Sequence, residues 1–462
     1  MASQVGAWLR AYGPDLFGMG GPALLLVVLA THNLGATSFW RDEISSVVFA
    51  HAGLGDLLTI LGRDRSVAGL PNMSAYILVL HFWLAVGETE ARVRLLSVLA
   101  GAATVVPIYL TARRVGGWTA GILAGAVFAI IPYVVHYSQD ARGYSMAMLA
   151  AASLTWLVIK ATERQTTIWW LVYGLVAALS LYVHFFVALV IAVHAVWVLA
   201  TRQLPAWRGL LAWILPIAIA AAPIPIIVTQ YGGIHGWIDV LTLRRMWLSL
   251  AVLAGGWAAL LTFGVALAWV LVVHRRNRLV WLLVGVVLLP IAITAAVSTV
   301  KPLFVPRYLI VVLPAMAVIT GIAIASLRPR ILGVVAAAAV GAVLITALPT
   351  AYPALDRQDW RSAARWIVQE REPDDRFLVP VNGRRQLEYY LDRNGMSLPP
   401  SEEVADIVGD PQGTRVWVLA SDQTNQNIEE ELAGVYRLVD QRSWGRRIHL
   451  LLFEPVADSP PA

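Results

Sequence analysis

Asp42 and Glu43 stand side by side in Phe39-Trp40-Arg41-Asp42-Glu43-Ile44, directly after the first membrane-length apolar run of the chain. A carboxylate facing lipid is costly, so the pair is expected to face water or a cavity. There an ionised carboxylate can take a proton from a hydroxyl, and the chemistry offered is a general base with a helper acid. The plain alternative is a solvated pair at the start of a surface helix. The aromatic flank Phe39-Trp40 tethers the segment to the membrane interface and favours the chemical reading.

A second group lies in Tyr137-Ser138-Gln139-Asp140-Ala141-Arg142-Gly143-Tyr144. Asp140 and Arg142 either form an ordinary ion pair in a turn or bring a second acid to the face that carries Asp42. Two such acids can position a base or hold a divalent ion, and the residue pattern leaves metal binding open. The third group is Lys301 with Arg307 and Tyr308, joined by Pro302-Leu303-Phe304-Val305-Pro306. Two cations at one leaflet can clamp a phosphate, Arg bidentately; snorkelling of helix-end cations accounts for them equally well. His184, in Tyr182-Val183-His184-Phe185, is a lone His in apolar surroundings, where a hydrogen-bonded packing role is the ordinary one. Asp359-Trp360-Arg361 opens a helix and reads as structural.

The elements that must position these residues are apolar helices. The chain has 462 residues, 58% hydrophobic and 14% charged, against roughly 25% charged in soluble domains. It is therefore expected to be an all-α polytopic membrane bundle, multi-pass in the cell membrane and surrounded by membrane lipids. Candidate spans of about 20 residues lie near 14–33, 93–112, 117–135, 144–161, 167–183, 184–201, 209–230, 246–273, 279–298, 307–326 and 330–349. The first reads as a retained helix, because no A-x-A cleavage site follows it. The run 71–87 is short and carries Asn72 and His81; if it crossed, every later loop would invert. Left at the surface, it puts Arg113, Arg114, Lys160, Arg164, Arg202, Arg208, Arg275, Arg276, Arg278, Arg328 and Arg330 inside, as the positive-inside rule requires. About eleven spans with an internal N-terminus follow. Residues 1–350 form the membrane domain, with an outer loop 34–91 and a further outer loop, 231–244, carrying His235, Trp237, Asp239, Arg244 and Arg245. Residues 351–462 form a small outer α/β domain, with helices near 357–370, 384–393 and 425–434, strands near 376–381, 414–420 and 447–453, and a disordered tail. The absence of Cys excludes disulfides and thiolate metal sites. The Arg residues sit in short loops, with no nucleic-acid signature.

Four stretches together resemble a GT-C glycosyltransferase of the branch that includes protein O-mannosyltransferases and lipid A aminoarabinose transferases (glycosyltransferase family 39 type). They are Trp40-Arg41-Asp42-Glu43; Tyr76-Ile77-Leu78-Val79-Leu80-His81-Phe82-Trp83 leading to Arg94-Leu95-Leu96-Ser97; His136 to Tyr144; and Val305-Pro306-Arg307-Tyr308-Leu309. The resemblance implies transfer of a sugar, mannose or another hexose or pentose, from a polyprenyl-phosphate donor to an extracytoplasmic glycan, lipid or protein acceptor. It implies Asp42 as the catalytic acid of the first outer loop, Asp140 and Arg142 as the acid and neighbouring cation of the second, and Arg307, with Lys301 beside it, near the departing phosphate. Relatives carry a His or Glu and paired prolines before the juxtamembrane helix. Here the string is Leu70-Pro71-Asn72-Met73, so either a polar contact to donor or metal is missing or Asn72 substitutes for it. A transporter or lipid-carrier flippase is the alternative outside enzymes; it predicts charges at the midplane of broken helices, whereas these sit at helix ends. A polymerase or ligase of related architecture is the alternative within them.

Overall fold

The computed structural model describes residues 2–56, 71–224, 238–352, 358–409, 414–420, 425–444 and 448–456. They divide into two compact units: Met1–Leu34 with Ala50–Tyr352, and Gly35–Phe49 with Pro353–Ala462.

The first unit is helical. Its longest helix, Glu90–Ile130, starts at an N-cap threonine, with the Thr89 hydroxyl accepting from the Arg92 N–H at 3.4 Å. As a straight rod its 41 residues would reach about 60 Å, twice the hydrocarbon core. It does not run straight. At Gly117 φ is +81° and ψ −176°, a conformation that glycine tolerates, and the two arms fold back on each other. Tyr109 lies against Gly121 and Val105 against Gly125, the register of an antiparallel hairpin. The helix Leu313–Ser326 is buried on every side from Leu313 to Ile324. It packs backbone to backbone on the second arm: a Cβ at Gly321 would lie 2.5 Å from the Ala124 nitrogen, the close approach that small residues permit between membrane helices. Around this centre Leu175, Leu179, Ile219, Leu261, Val272 and Val334 face outward, a collar suited to lipid.

Among the described residues six helices are long and apolar enough to cross a membrane, and seven when the pair Leu243–Ala254 and Trp257–Val273, bent by 86°, counts as one. The expectation of about eleven spans is not met by helix length. Thr167–Val183, Val187–Ala200 and Trp207–Ala221 are apolar but short; a 17-residue helix reaches about 25 Å, less than the roughly 30 Å core. The hairpin also counts only once by length. Within 71–87 the helix Ser74–Trp83 has ten residues. It buries Tyr76, Ile77 and Leu80 and exposes Val79 and Phe82. In the loop 231–244, His235 and Trp237 lie outside the described residues, while Asp239 pairs with Arg245 at 3.1 Å.

The second unit is built on a four-stranded sheet of order β1-β2-β4-β3: β1 Arg376–Leu378, β2 Val416–Ala420, β3 Tyr436–Ser443 and β4 His449–Pro455. β1 and β2 are parallel, and the other pairs antiparallel. The return between the parallel strands includes the helices Val381–Asp392 and Val404–Gly409. β2 is buried throughout, with Val416, Val418, Leu451 and Phe453 in one cluster and Trp417 against Trp366 and Phe377. The helix Trp360–Glu370 is capped by Asp359, whose carboxylate accepts from the Ser362 N–H at 3.2 Å; its expected start at Arg357 and the tail after Val456 lie outside the described residues. β3 was not expected. It is an exposed edge carrying Arg437, Asp440 and Arg442, charges that blunt an edge and erase the alternating pattern by which strands are read.

Asp375 holds the start of β1. Its carboxylate accepts from Arg415 Nε at 3.0 Å and Nη2 at 2.9 Å, from Trp417 Nε1 at 2.7 Å and from the Glu372 N–H at 2.9 Å. A buried carboxylate so fully paired is costly to remove, because the buried Trp417 Nε1 loses its acceptor and Arg415 keeps only Glu372 and the Glu370 carbonyl. Asp375→Ala is expected to destabilise this unit by about 3–5 kcal/mol, read as an earlier tryptophan-fluorescence transition in thermal or urea unfolding of the whole protein.

Candidate active site

The helix Pro132–Ser138 begins where Ile131 turns extended ahead of Pro132. The turn after it holds the second motif. Ser145 Oγ donates to the Tyr137 carbonyl at 2.9 Å, the Arg142 N–H to the Asp140 carbonyl at 2.7 Å, and Ser97 Oγ to the Arg142 carbonyl at 3.4 Å. Gln139 Nε2 donates to the carbonyls of Ala30 and His32 at 3.1 and 2.9 Å, fixing the turn against the end of the first helix. Asp140 is buried at 2% exposure, and Arg142 is partly exposed.

Aromatic rings link this turn to two other elements. Tyr133 meets Tyr137 at 4.7 Å, Tyr137 meets Tyr144 at 4.6 Å, and Tyr144 meets His184 at 5.7 Å. His184 then meets Phe186 at 5.7 Å and Tyr308 at 5.9 Å. Tyr308 opens the 3-10 turn Pro306–Val312 with Arg307, whose guanidinium lies over its ring at 5.9 Å. The charges of Arg142 and Arg307 both act on His184 and on Tyr144, and that of Asp140 on Tyr144. Three elements thus converge on one point. Lys301 does not join them. It is partly exposed, and its side chain makes no hydrogen bond or ion pair among the described residues. The convergence pairs Arg307 with Arg142.

His184 is wholly buried at the turn between Thr167–Val183 and Val187–Ala200. Its Nδ1 accepts from the Phe186 N–H at 3.2 Å, which leaves the proton on Nε2, and that nitrogen has no hydrogen-bond partner among the described residues. Burial first, then the positive fields of Arg142 and Arg307, lower its pKa to about 3, so the ring is neutral at ordinary pH. In the unfolded chain it protonates near 6.5. Its contribution to stability is therefore fully present above that value and is lost as pH falls toward 3. His184→Gln, which cannot titrate, is expected to flatten that part of the acid decline in melting temperature, measured in detergent from pH 7 to 4. Asn72, considered above as a substitute contact to donor or metal, has its carboxamide oxygen on the Phe185 N–H at 2.7 Å, where it holds the same turn.

One apolar cavity reaches this series of rings at Tyr133, and a second shares Trp257 with the first. One of about 430 Å³ is lined by Pro132, Tyr133, His136, Gly255, Trp257 and Thr350. The other, of about 560 Å³, is lined by Trp247, Trp257, Leu261, Gly264, Leu288 and Ile319. Tyr133 stands at the near end, where the charge of Arg307 reaches its hydroxyl.

Asp42 and Glu43 belong to the second unit, in the first turn of the helix Arg41–Ala50. They are not equivalent. Glu43 is 0% exposed, and its Oε2 accepts from the Trp40 N–H at 3.1 Å, the reciprocal arm of a capping box. Asp42 is partly exposed. The segment before them is pinned: the Phe39 N–H donates to the Tyr390 hydroxyl at 2.7 Å, Ser38 Oγ to the Gln358 carbonyl at 2.8 Å, and the Trp360 N–H to Ser38 Oγ at 3.1 Å. Among the described residues no three His, Asp or Glu side chains come together as a metal site, and the divalent-ion reading gains no support from the geometry. Reasoning from sequence passed over the wall of Tyr133, Tyr137, Tyr144 and Phe186. The signal available was the four-residue step from Tyr133 to Tyr137, which stacks two rings on one helix face.

A bundle of this kind with a small α/β unit after it has the fold of GT-C membrane glycosyltransferases, and the resemblance drawn from the motifs holds at that level. Residues 70–228 match the family described as dolichyl-phosphate-mannose-protein mannosyltransferase, a stretch that includes Asp140, Arg142 and His184. The crystal structure of ArnT from Cupriavidus metallidurans in the apo state aligns with a TM-score of 0.66 at 14% identity, over 96% of this chain and 98% of that one. ArnT from the same organism bound to undecaprenyl phosphate aligns at 0.62 and 15%, over 97% and 99%. The archaeal oligosaccharyltransferase AglB from Archaeoglobus fulgidus, in complex with an inhibitory peptide and a dolichol-phosphate, aligns at 0.54 and 11%, over 94% of this chain and 70% of that one. At these identities the likeness is one of fold. Among curated proteins none matches.

Proposed function

We propose that this chain is an integral-membrane glycosyltransferase that moves a sugar from a polyprenyl-phosphate donor to an acceptor hydroxyl on the extracytoplasmic side, with inversion at C1. The observation that carries this reading is the convergence of Arg142 and Arg307 on the neutral, buried His184, with an apolar cavity at Tyr133 that a second adjoins at Trp257. Two guanidiniums and an imidazole N–H suit a phosphate, Arg by its bidentate fork, and apolar cavities suit a prenyl chain. That the aligned ArnT and AglB structures hold undecaprenyl phosphate and a dolichol-phosphate supports the same chemistry.

In this reaction the acceptor oxygen attacks C1, the bond from C1 to the phosphate oxygen breaks, and the polyprenyl phosphate leaves with the electron pair. Arg142, Arg307 and the His184 N–H stabilise the charge that develops on it. Asp42 takes the acceptor proton, an assignment that rests on the resemblance of its motif. Asp140 is taken, on the resemblance of its motif, as the second acid of the site. Glu43 supports Asp42 by capping the helix that bears it, and Lys301 stands outside the cluster. The extracytoplasmic side is supported by the first arm of the long hairpin. Its Ser97 reaches the candidate site, while Arg113 and Arg114, roughly 25 Å further along, pair with Asp15 and Glu163 among the basic residues of the inner loops.

The test is transfer by the purified protein from polyprenyl-phosphate-linked mannose, other hexoses and pentoses. Acceptors come from a comparison of glycolipids and glycoproteins in a deletion strain and its parent. A cytoplasm-only reporter fused after Pro349 is expected to be silent. Absence of transfer from every such donor, with no envelope glycan altered in the deletion strain, overturns the reading.

A further inference from the structure

The two cavities meet at one side chain, Trp257, which lines both. It is the first residue of the helix Trp257–Val273, immediately after the 86° elbow. The elbow is rigidly made. Gly255 and Gly256 take φ of +98° and +126°, values that favour glycine, and both their N–H groups donate to the Ala251 carbonyl, at 3.1 and 2.7 Å. A Cβ at Gly255 would lie 2.8 Å from Pro132 Cδ, so the elbow rests on the first residue of the helix that carries Tyr133, His136 and Tyr137. The backbone that bears the indole is therefore fixed, and the side chain, 56% exposed, can touch a ligand.

From these observations we propose that Trp257 is a specificity-determining residue that measures the length of the prenyl chain. The proposal rests on the polyprenyl-phosphate reading above. A chain whose phosphate lies at Arg142, Arg307 and His184 runs first past Tyr133 in the smaller cavity. Only a chain long enough to pass Trp257 reaches the larger one, between Leu261, Leu288 and Ile319. A chain of two isoprene units stops short of the elbow and gains nothing from the second cavity. The charge at one end and the apolar walls at the other suit an amphiphile with an anionic head and a long apolar tail.

The experiment measures binding of undecaprenyl phosphate and of a two-isoprene prenyl phosphate, without sugar, to the purified protein in detergent. Wild type is expected to prefer the long chain. Trp257→Ala should weaken the long chain roughly tenfold and the short chain by less than about threefold, with Trp257→Phe near wild type. Gly264→Phe provides a second test. Gly264 lines the larger cavity and a Cβ there meets nothing within 4 Å, so a ring at this position takes up space in that cavity. It should abolish the preference for the long chain and leave short-chain binding intact. Equal losses for both chains in Trp257→Ala, or a preference that survives in Gly264→Phe, overturn the proposal and place the tail in the surrounding bilayer. Failure of wild type to bind either phosphate overturns the underlying reading as well, which separates the two.

Discussion

Asp42→Asn is expected to lower sugar transfer by about 10²–10⁴, the usual cost of losing a general base, with expression and polyprenyl-phosphate affinity near wild type. The substitution keeps the size of the side chain and its capacity for hydrogen bonding while removing proton acceptance. The neighbouring acid supplies the contrast. Glu43 is wholly buried and caps its own helix through the Trp40 N–H. Glu43→Gln retains an acceptor oxygen at the same position and should cost little activity, whereas Glu43→Ala should lower stability by about 1 kcal/mol or more. Turnover with purified protein and a lipid donor, alongside melting temperature, separates the two acids. Near-parental turnover in Asp42→Asn would make Asp140 the next acid to test.

Arg307→Ala is expected to weaken polyprenyl-phosphate binding by roughly 10–100-fold, the worth of a hydrogen bond to a charged group. Its side chain is partly exposed over the Tyr308 ring, so truncation leaves no large void and melting temperature should hold. Arg307→Lys keeps the charge but not the fork and should fall between Ala and wild type. Arg142→Ala should resemble Arg307→Ala, and Lys301→Ala should lie within about threefold of wild type, because a solvated charge outside the cluster is largely screened. Direct titration of undecaprenyl phosphate reads all four. An effect of Lys301→Ala as large as that of Arg307→Ala would show that the phosphate is held in the connector after residue 300 instead.

Much of this was legible along the chain because it depends on neighbours in sequence. Apolar runs announced most of the helices, Asp359 the start of one, and Arg113-Arg114 the break between 93–112 and 117–135 where a 41-residue helix turns into a hairpin. The motifs around Asp42, Asp140 and Arg307 stood out because charge is rare in such a chain, and the resemblance they suggested holds for the fold. Other features depend on residues far apart. Nothing near Lys301 or Arg307 says which of them joins Arg142 around His184; the packing of the turn Pro306–Val312 against the helix Tyr144–Arg164 decides it. Nothing in Asp42-Glu43 says that one acid is buried and the other partly exposed. That follows from the helix phase set by Phe39, whose N–H is held by Tyr390, 351 positions away. The number of crossings depends on how short apolar helices tilt and pair, which hydropathy does not encode. Composition and local pattern thus determined a membrane bundle with charged helix ends. Only the tertiary structure decided which of those charges share a site, because convergence is a property of long-range packing.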